Sequence, residues 1–212
     1  MTGPIFPPGF AEQLDTLLTW RRDVRHFQTV PLPDGTLDHL LDRAALAPSV
    51  GNSQPWRFVR VLSAERRAAI VAHVEAENRK AAAIYRDETR AAYDALKLHG
   101  LQEAPEPLAV FCETNPAAGH GLGRQTMPET LACSVVMAIH TLWLAARAIG
   151  IGVGWVSIVD PVAINRLLDV PEDWRFVALL CLGYPAEQHE TPELVRRRWQ
   201  DRLPADQTRF TR

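Results

Sequence analysis

The chain has 212 residues, 47% of them hydrophobic and 23% charged, with a formal net charge of −2 and a pI near 6.4. That balance fits one globular domain, 1–212, with a sizeable core. It speaks against a nucleic-acid surface or a polybasic membrane anchor.

Near the N-terminus, Leu14, Leu17, Leu18 and Arg21 fall at helical spacing and predict a helix over 11–22. The preceding MTGPIFPPGF has no basic region followed by an apolar run, so no signal peptide is expected. Pro31 and Pro33 break the chain, and Leu37, Leu40, Leu41, Ala44 and Ala45 predict a second helix ending before Pro48. PSVGNSQPW, 48–56, is a turn, and the alternation of WRFVRVL, 56–62, predicts a strand. Ser63 can cap a helix starting at Ala64. From there to Leu98 the chain is rich in Ala, Glu, Lys and Arg and reads as two helical pieces with a weak apolar stripe. It is either a solvated layer or an excursion over a site, with Asn78, Tyr85 and Tyr93 facing what it covers.

PLAVFCE, 107–113, predicts a buried strand, and residues 115–126 a glycine-rich loop. Pro128 opens a long helix over 129–149. GVGWVSIVD, 152–160, reads as a strand, 161–169 as a short helix, and RFVALLCLGYP, 175–185, as another buried strand. The tail from Glu190 is polar and basic. The apolar region 135–159 is interrupted by His140, Arg147 and three glycines, so it is expected to be a buried helix entering a buried strand rather than a membrane span. Helices alternating with about four strands, in no strict βαβ rhythm, favour an α+β sheet flanked by helices.

Cys112, Cys133 and Cys181 form no CxxC and are expected to be buried, reduced thiols of a cytoplasmic protein. The seven histidines show neither HxH nor HExxH spacing, so no metal site is expected. GIGVGW, 150–155, follows a helix and enters a strand, the reverse of a dinucleotide fingerprint, and Gly150 reads as a helix terminator. The GHGLGR loop lacks the Walker lysine, and no GxSxG elbow is present.

Two stretches remain. RRDVR, 21–25, surrounds one carboxylate with three arginines. It is either a solvated helix end or an anion site, since the guanidinium fork suits phosphate. In the second case Asp23 is held ionised by its neighbours, and an ionised carboxylate in a phosphate site needs a reason to be there. PSVGNSQPW gathers donors in a constrained turn, which serves either as a simple connection or as a holder of a heterocycle edge.

Together, RRDVR with Phe27, APSVGNSQPWRF, the Ala/Arg-rich 78–105 stretch, GLGRQTMPE, LWLAARAIGIGVGWVSI and LCLGYP resemble, in order, the BluB family of the nitroreductase-like FMN superfamily. The resemblance runs from about Leu17 to Arg202. It implies a nitroreductase-like α+β fold with a mainly antiparallel sheet and a helical lid at about 78–98. It implies a homodimer with FMN at the interface, reduced FMN as substrate, O2 as co-substrate and a separate flavin reductase as supplier. The family activity is 5,6-dimethylbenzimidazole synthesis with release of erythrose 4-phosphate. The alternative is an NAD(P)H-dependent nitroreductase or flavin reductase.

By the same resemblance Arg21, Arg22 and Arg25 hold phosphate, ribityl chain and pyrimidine edge, with Asp23 and Val24 between them. Pro48 and Ser49, from the partner subunit, border the flavin. Trp155, Val156 and Ser157 line it, and Arg202 of DRLP contacts phosphate. Asp23, where ordinary nitroreductases carry Ser or Thr, and Ser157 are the implied catalytic residues.

Overall fold

The structure, a computed structural model, describes residues 3–211, so Met1, Thr2 and Arg212 lie outside it. In chain order come α1 (Phe10–Trp20), α2 (Thr36–Ala44), β1 (Trp56–Arg60), α3 (Ala64–Ala82), α4 (Asp87–Asp94), β2 (Glu106–Glu113), α5 (Thr130–Ala148), β3 (Gly152–Val156), α6 (Pro161–Leu168), β4 (Trp174–Gly183) and α7 (Glu193–Arg196). The four strands form one sheet in the order β1-β2-β4-β3, antiparallel throughout. The α+β expectation therefore stands.

Two apolar layers sandwich the sheet. On one face α2 and α5 pack against Leu108, Val110, Leu180 and Leu182. On the other, Ile70 and Val74 of α3 and Ile164 and Leu168 of α6 pack against Ala109, Phe111, Leu179 and Cys181. The period-2 alternation of β2 and β4 supplies one set to each face. By length and composition α5 could cross a membrane, but it buries Leu131, Val135, Ala138, Ile139, Leu142 and Ala146 on the sheet.

Local signals act where expected. The Ser63 hydroxyl accepts from the Arg66 N–H at 3.3 Å and caps α3. Asp160 caps α6 through the Val162 N–H, with Pro161 at the first helical position. Gly150, at φ 78°, ends α5 in the left-handed region.

Three expectations change. First, α1 stops at Trp20, and Arg21 takes an extended conformation with φ −69° and ψ 121°. No residue of its apolar stripe is fully buried within the protomer, and Phe10, Leu14 and Leu18 remain 38–43% exposed. Second, the 152–160 strand is real only to Val156, which leaves Ser157 exposed beyond its end. Third, Cys133 is exposed on α5 while Cys112 and Cys181 are buried. Burial pushes the Cys181 thiol up to about 12, which keeps it protonated and unreactive.

Candidate active site

After α1 the chain runs beside β3, the edge strand. Asp23 and Val153 form a parallel bridge, and the Val24 N–H donates to the Val153 carbonyl at 3.0 Å. The approach is close enough to dictate the β3 sequence. A Cβ on Gly154 would lie 2.0 Å from the Val24 carbonyl oxygen, and one on Gly152 would meet the Val24 side chain at 2.8 Å. The two glycines that mimic a dinucleotide motif are thus the seat of the RRDVR segment.

On this seat both Asp23 oxygens are engaged. Oδ1 accepts from the Trp155 N–H at 2.8 Å, and Oδ2 accepts from Arg25 Nε at 3.0 Å. Arg25 also donates through Nη1 to the Lys97 carbonyl at 3.2 Å, at the end of the helical excursion. The Asp23 side chain is 31% exposed and the Arg25 side chain 14%. Ionisation of Asp23 differs from the expectation. Desolvation by burial raises its pKa above the usual carboxylate value, although the Trp155 N–H, Arg25 and Arg21 all pull it down. Counting arginines misses this, because the cost of removing the carboxylate from water grows with the fold packed around it.

The arginines part ways. Arg21 lies over the Trp143 ring, 5.2 Å from its centroid, and Trp143 Nε1 donates to the Arg22 carbonyl at 3.1 Å. This α5 tryptophan therefore fixes the segment from its second side. Arg22 Nε donates to the Glu190 carbonyl at 2.7 Å, and its other nitrogens reach the carbonyls of Glu190, Arg21 and Thr19. Its pKa is lowered by burial and then by Arg21, Arg202 and Arg147, with Glu190 as the opposing charge. Among the described residues, none of Arg21, Arg22 and Arg202 forms an ion pair with a carboxylate.

Arg22 and Arg202 line one cavity of about 500 Å³, with Thr19, Glu190 and Thr191. Arg22, Asp23, Val24 and Arg25 line a second, small pocket of about 30 Å³, closed by His26 and by Glu187, His189, Glu193 and Arg196 of the tail. His26 Nε2 stands 3.6 Å from Glu193 Oε1. Pro48, Ser49 and Ser157 line neither space. Ser49 instead organises its own turn, accepting from the Gln54 N–H at 3.1 Å, while the Val50 N–H donates to Ser134 on α5 at 3.0 Å. This turn packs on the glycine-rich loop: a Cβ on Gly51 would lie 2.8 Å from the Leu122 carbonyl oxygen.

Asn78, Tyr85 and Tyr93 do not face the arginine segment. The Tyr93 hydroxyl donates to Asn78 Oδ1 at 2.6 Å, and Tyr85 and Tyr93 pack with tilted rings 4.8 Å apart and meet Trp199 of the tail. Sequence reasoning missed Trp143, His26 and Trp199. Trp143 carried the one available signal, an aromatic with a polar edge on an otherwise aliphatic helix.

Residues 18–184 match the family model for the Nitroreductase family. The chain belongs to the nitroreductase family, on its BluB-type branch. It is 57% identical to the 5,6-dimethylbenzimidazole synthase of Rhodospirillum rubrum over 203 residues, 96% of each chain. It is 50% identical to that of Rhodobacter capsulatus over 195 residues, 92% of this chain and 94% of the relative. Among solved structures it superimposes on oxidized iodotyrosine deiodinase bound to FMN and 3-iodo-L-tyrosine with a TM-score of 0.70 at 27% identity, covering 83% of this chain and 91% of the other. The nitroreductase-like fold of this chain is established by that family membership.

Proposed function

We propose that this chain is a 5,6-dimethylbenzimidazole synthase that consumes reduced FMN and O2 and releases erythrose 4-phosphate. The observation that carries the reading is Asp23. A simple phosphate holder wants a donor at this position, yet the segment presents a half-buried carboxylate inside an arginine set. The relatives named as this synthase support the same reading.

The donor set fits a phosphorylated flavin. Arg21 and Arg202 both repel Arg22, with Glu190 the opposing charge, and a phosphate relieves that repulsion. In the proposed site these three hold the phosphate, and Arg25 and Val24 border the flavin. Trp155 and Val156 line it, and Ser157 hydrogen-bonds its edge. Pro48 and Ser49 of the partner subunit border the other side, in line with their distance from the arginine pockets within one protomer.

Reduced FMN and O2 supply the redox chemistry, and the protein supplies binding, exclusion of water and proton transfer. Asp23 takes a proton from the ribityl chain. Its raised pKa makes the ionised carboxylate a stronger base than a surface aspartate. Arg25 and the Trp155 N–H hold both oxygens in place so that the carboxylate does not swing. We assign the protein to the cytoplasm, as a homodimer supplied with reduced FMN by a separate flavin reductase.

The test is aerobic incubation of the protein with reduced FMN and quantitation of 5,6-dimethylbenzimidazole by mass spectrometry. Asp23→Asn should lower product about a hundredfold or more, within the range set by removing a general base. Undiminished product from that variant would end the role of Asp23. Rapid reduction of bound FMN by NADPH with nitroarene turnover would favour the reductase alternative.

A further inference from the structure

The helical excursion and the C-terminal tail both converge on the 22–26 segment, from different sides. The excursion is tied at its base, where the Lys97 carbonyl accepts from Arg25. The tail is tied where the Glu190 carbonyl accepts from Arg22 and where Glu193 faces His26. Away from these tethers, one more side chain joins the two. Trp199 sets its ring against Tyr85 at 5.4 Å, nearly perpendicular, and against Tyr93 at 6.1 Å. Tyr93 is buried there and anchored to Asn78 of α3. The contacts thus close a ring: segment 22–26, Lys97, α4, Trp199, the tail and back to Arg22.

The backbone shows that Trp199 is deliberately aimed. Arg198, not a glycine, sits at φ 57°, in the left-handed region that such residues rarely enter. Directly after it, the Trp199 and Gln200 N–H groups both donate to the Leu194 carbonyl, at 2.8 and 3.4 Å. The chain doubles back after α7, and the indole points at the tyrosines. Through Tyr85 and Tyr93 this ring makes two aromatic contacts between tail and excursion.

We propose that Trp199 is a positioning residue that clasps the excursion to the tail and holds the 22–26 cleft closed around its ligand. The clasp acts through Tyr85 and Tyr93 and touches no reacting atom. Its chemical consequence rests on the synthase reading above. In an open cleft, O2 takes two electrons and two protons from reduced FMN, giving oxidised FMN and H2O2, so the flavin escapes fragmentation. In a closed cleft that escape is suppressed.

The experiment compares wild-type protein, Trp199→Ala, Trp199→Phe and Tyr85→Leu. Each is supplied with reduced FMN in air, and dimethylbenzimidazole, recovered FMN and H2O2 are measured. Losing two ring pairs should cut the product yield of Trp199→Ala about tenfold, with H2O2 and intact FMN in its place. Trp199→Phe, which keeps a ring, should return to within about twofold of wild type. In parallel, hydrogen exchange with oxidised FMN bound should be about tenfold faster across residues 83–96 in Trp199→Ala and in Tyr85→Leu than in wild type. Equal exchange in all four proteins overturns the clasp, as does a Trp199→Ala protein that makes product at the wild-type yield. Tyr85→Leu keeps the question decidable if Trp199→Ala does not fold. If wild type itself returns FMN intact, the synthase reading fails, and the exchange comparison still decides the clasp.

Discussion

Asp23 carries two opposed influences at once. Its hydrogen bonds and arginine neighbours favour the charge, burial disfavours it, and burial wins. For an acid whose folded pKa lies above its unfolded value near 3.8, the native state binds the extra proton, so stability falls as pH rises from that value through the folded pKa. Asp23→Asn removes this dependence and keeps an oxygen for the Trp155 N–H. The melting temperature of Asp23→Asn minus that of wild type should therefore increase as pH rises from about 4. A difference that shrinks with pH would contradict the raised pKa. For the catalytic role proposed for Asp23, a group that costs stability while enabling chemistry is the expected trade-off. At the same scale, Gly154→Ala would drive a methyl into the Val24 carbonyl oxygen, 2.0 Å away. Thermal unfolding should show a loss of roughly 1–3 kcal/mol or more, and FMN binding should weaken because Asp23 loses its seat.

At the scale of elements, α5 links the core to the site. One face of it fills the sheet, while Trp143 reaches out to hold the Arg22 carbonyl and stack beneath Arg21. Trp143→Phe keeps a ring for the cation and deletes the donor, so FMN affinity, read by fluorescence quenching, should fall roughly three- to tenfold, the effect of about 1 kcal/mol. Trp143→Ala should cost more, since it also removes the stacked face. The elements themselves were well marked in the sequence. Ser63, Asp160, Pro161 and Gly150 each punctuate a helix by local chemistry, and the apolar runs at 107–113 and 175–185 mark two central strands. Long-range geometry was less visible. Nothing near Gly154 discloses that a segment 130 or so residues earlier lies on it, because a missing side chain carries no periodic signal. Nor does the Ala-rich excursion disclose that its tyrosines meet a tryptophan near the far end of the chain. The arginine set was legible as a charge pattern, but the balance between charge and desolvation at Asp23 depends on the finished fold.

For the molecule as a whole, the protomer leaves apolar side chains open on α1 and α5, among other places. Phe10, Leu14 and Leu18 on α1 and Val136 and Met137 on α5 are 38–45% exposed, and Phe10 and Leu14 line a hollow of about 670 Å³ with Leu17 and Trp20. A second copy covering this surface accounts for an α1 with no fully buried residue of its own, in accord with the proposed homodimer. Leu14→Lys with Met137→Lys should then shift sedimentation toward the monomer and weaken FMN retention roughly tenfold or more, because binding linked to assembly is lost with it. A monomeric double variant that keeps full FMN affinity would place the whole site within one chain. The bridge between Asp23 and β3 has one more consequence at this scale. A four-stranded open sheet offers two raw edges to any other unfolded or partly folded strand. Along β1 that edge carries Arg57 and Arg60, while along β3 it is sheathed by the RRDVR segment itself. The stretch proposed to bring the carboxylate to the flavin also shields the sheet from self-association, so a lesion that loosens it should appear first as aggregation during expression and only then as lost turnover.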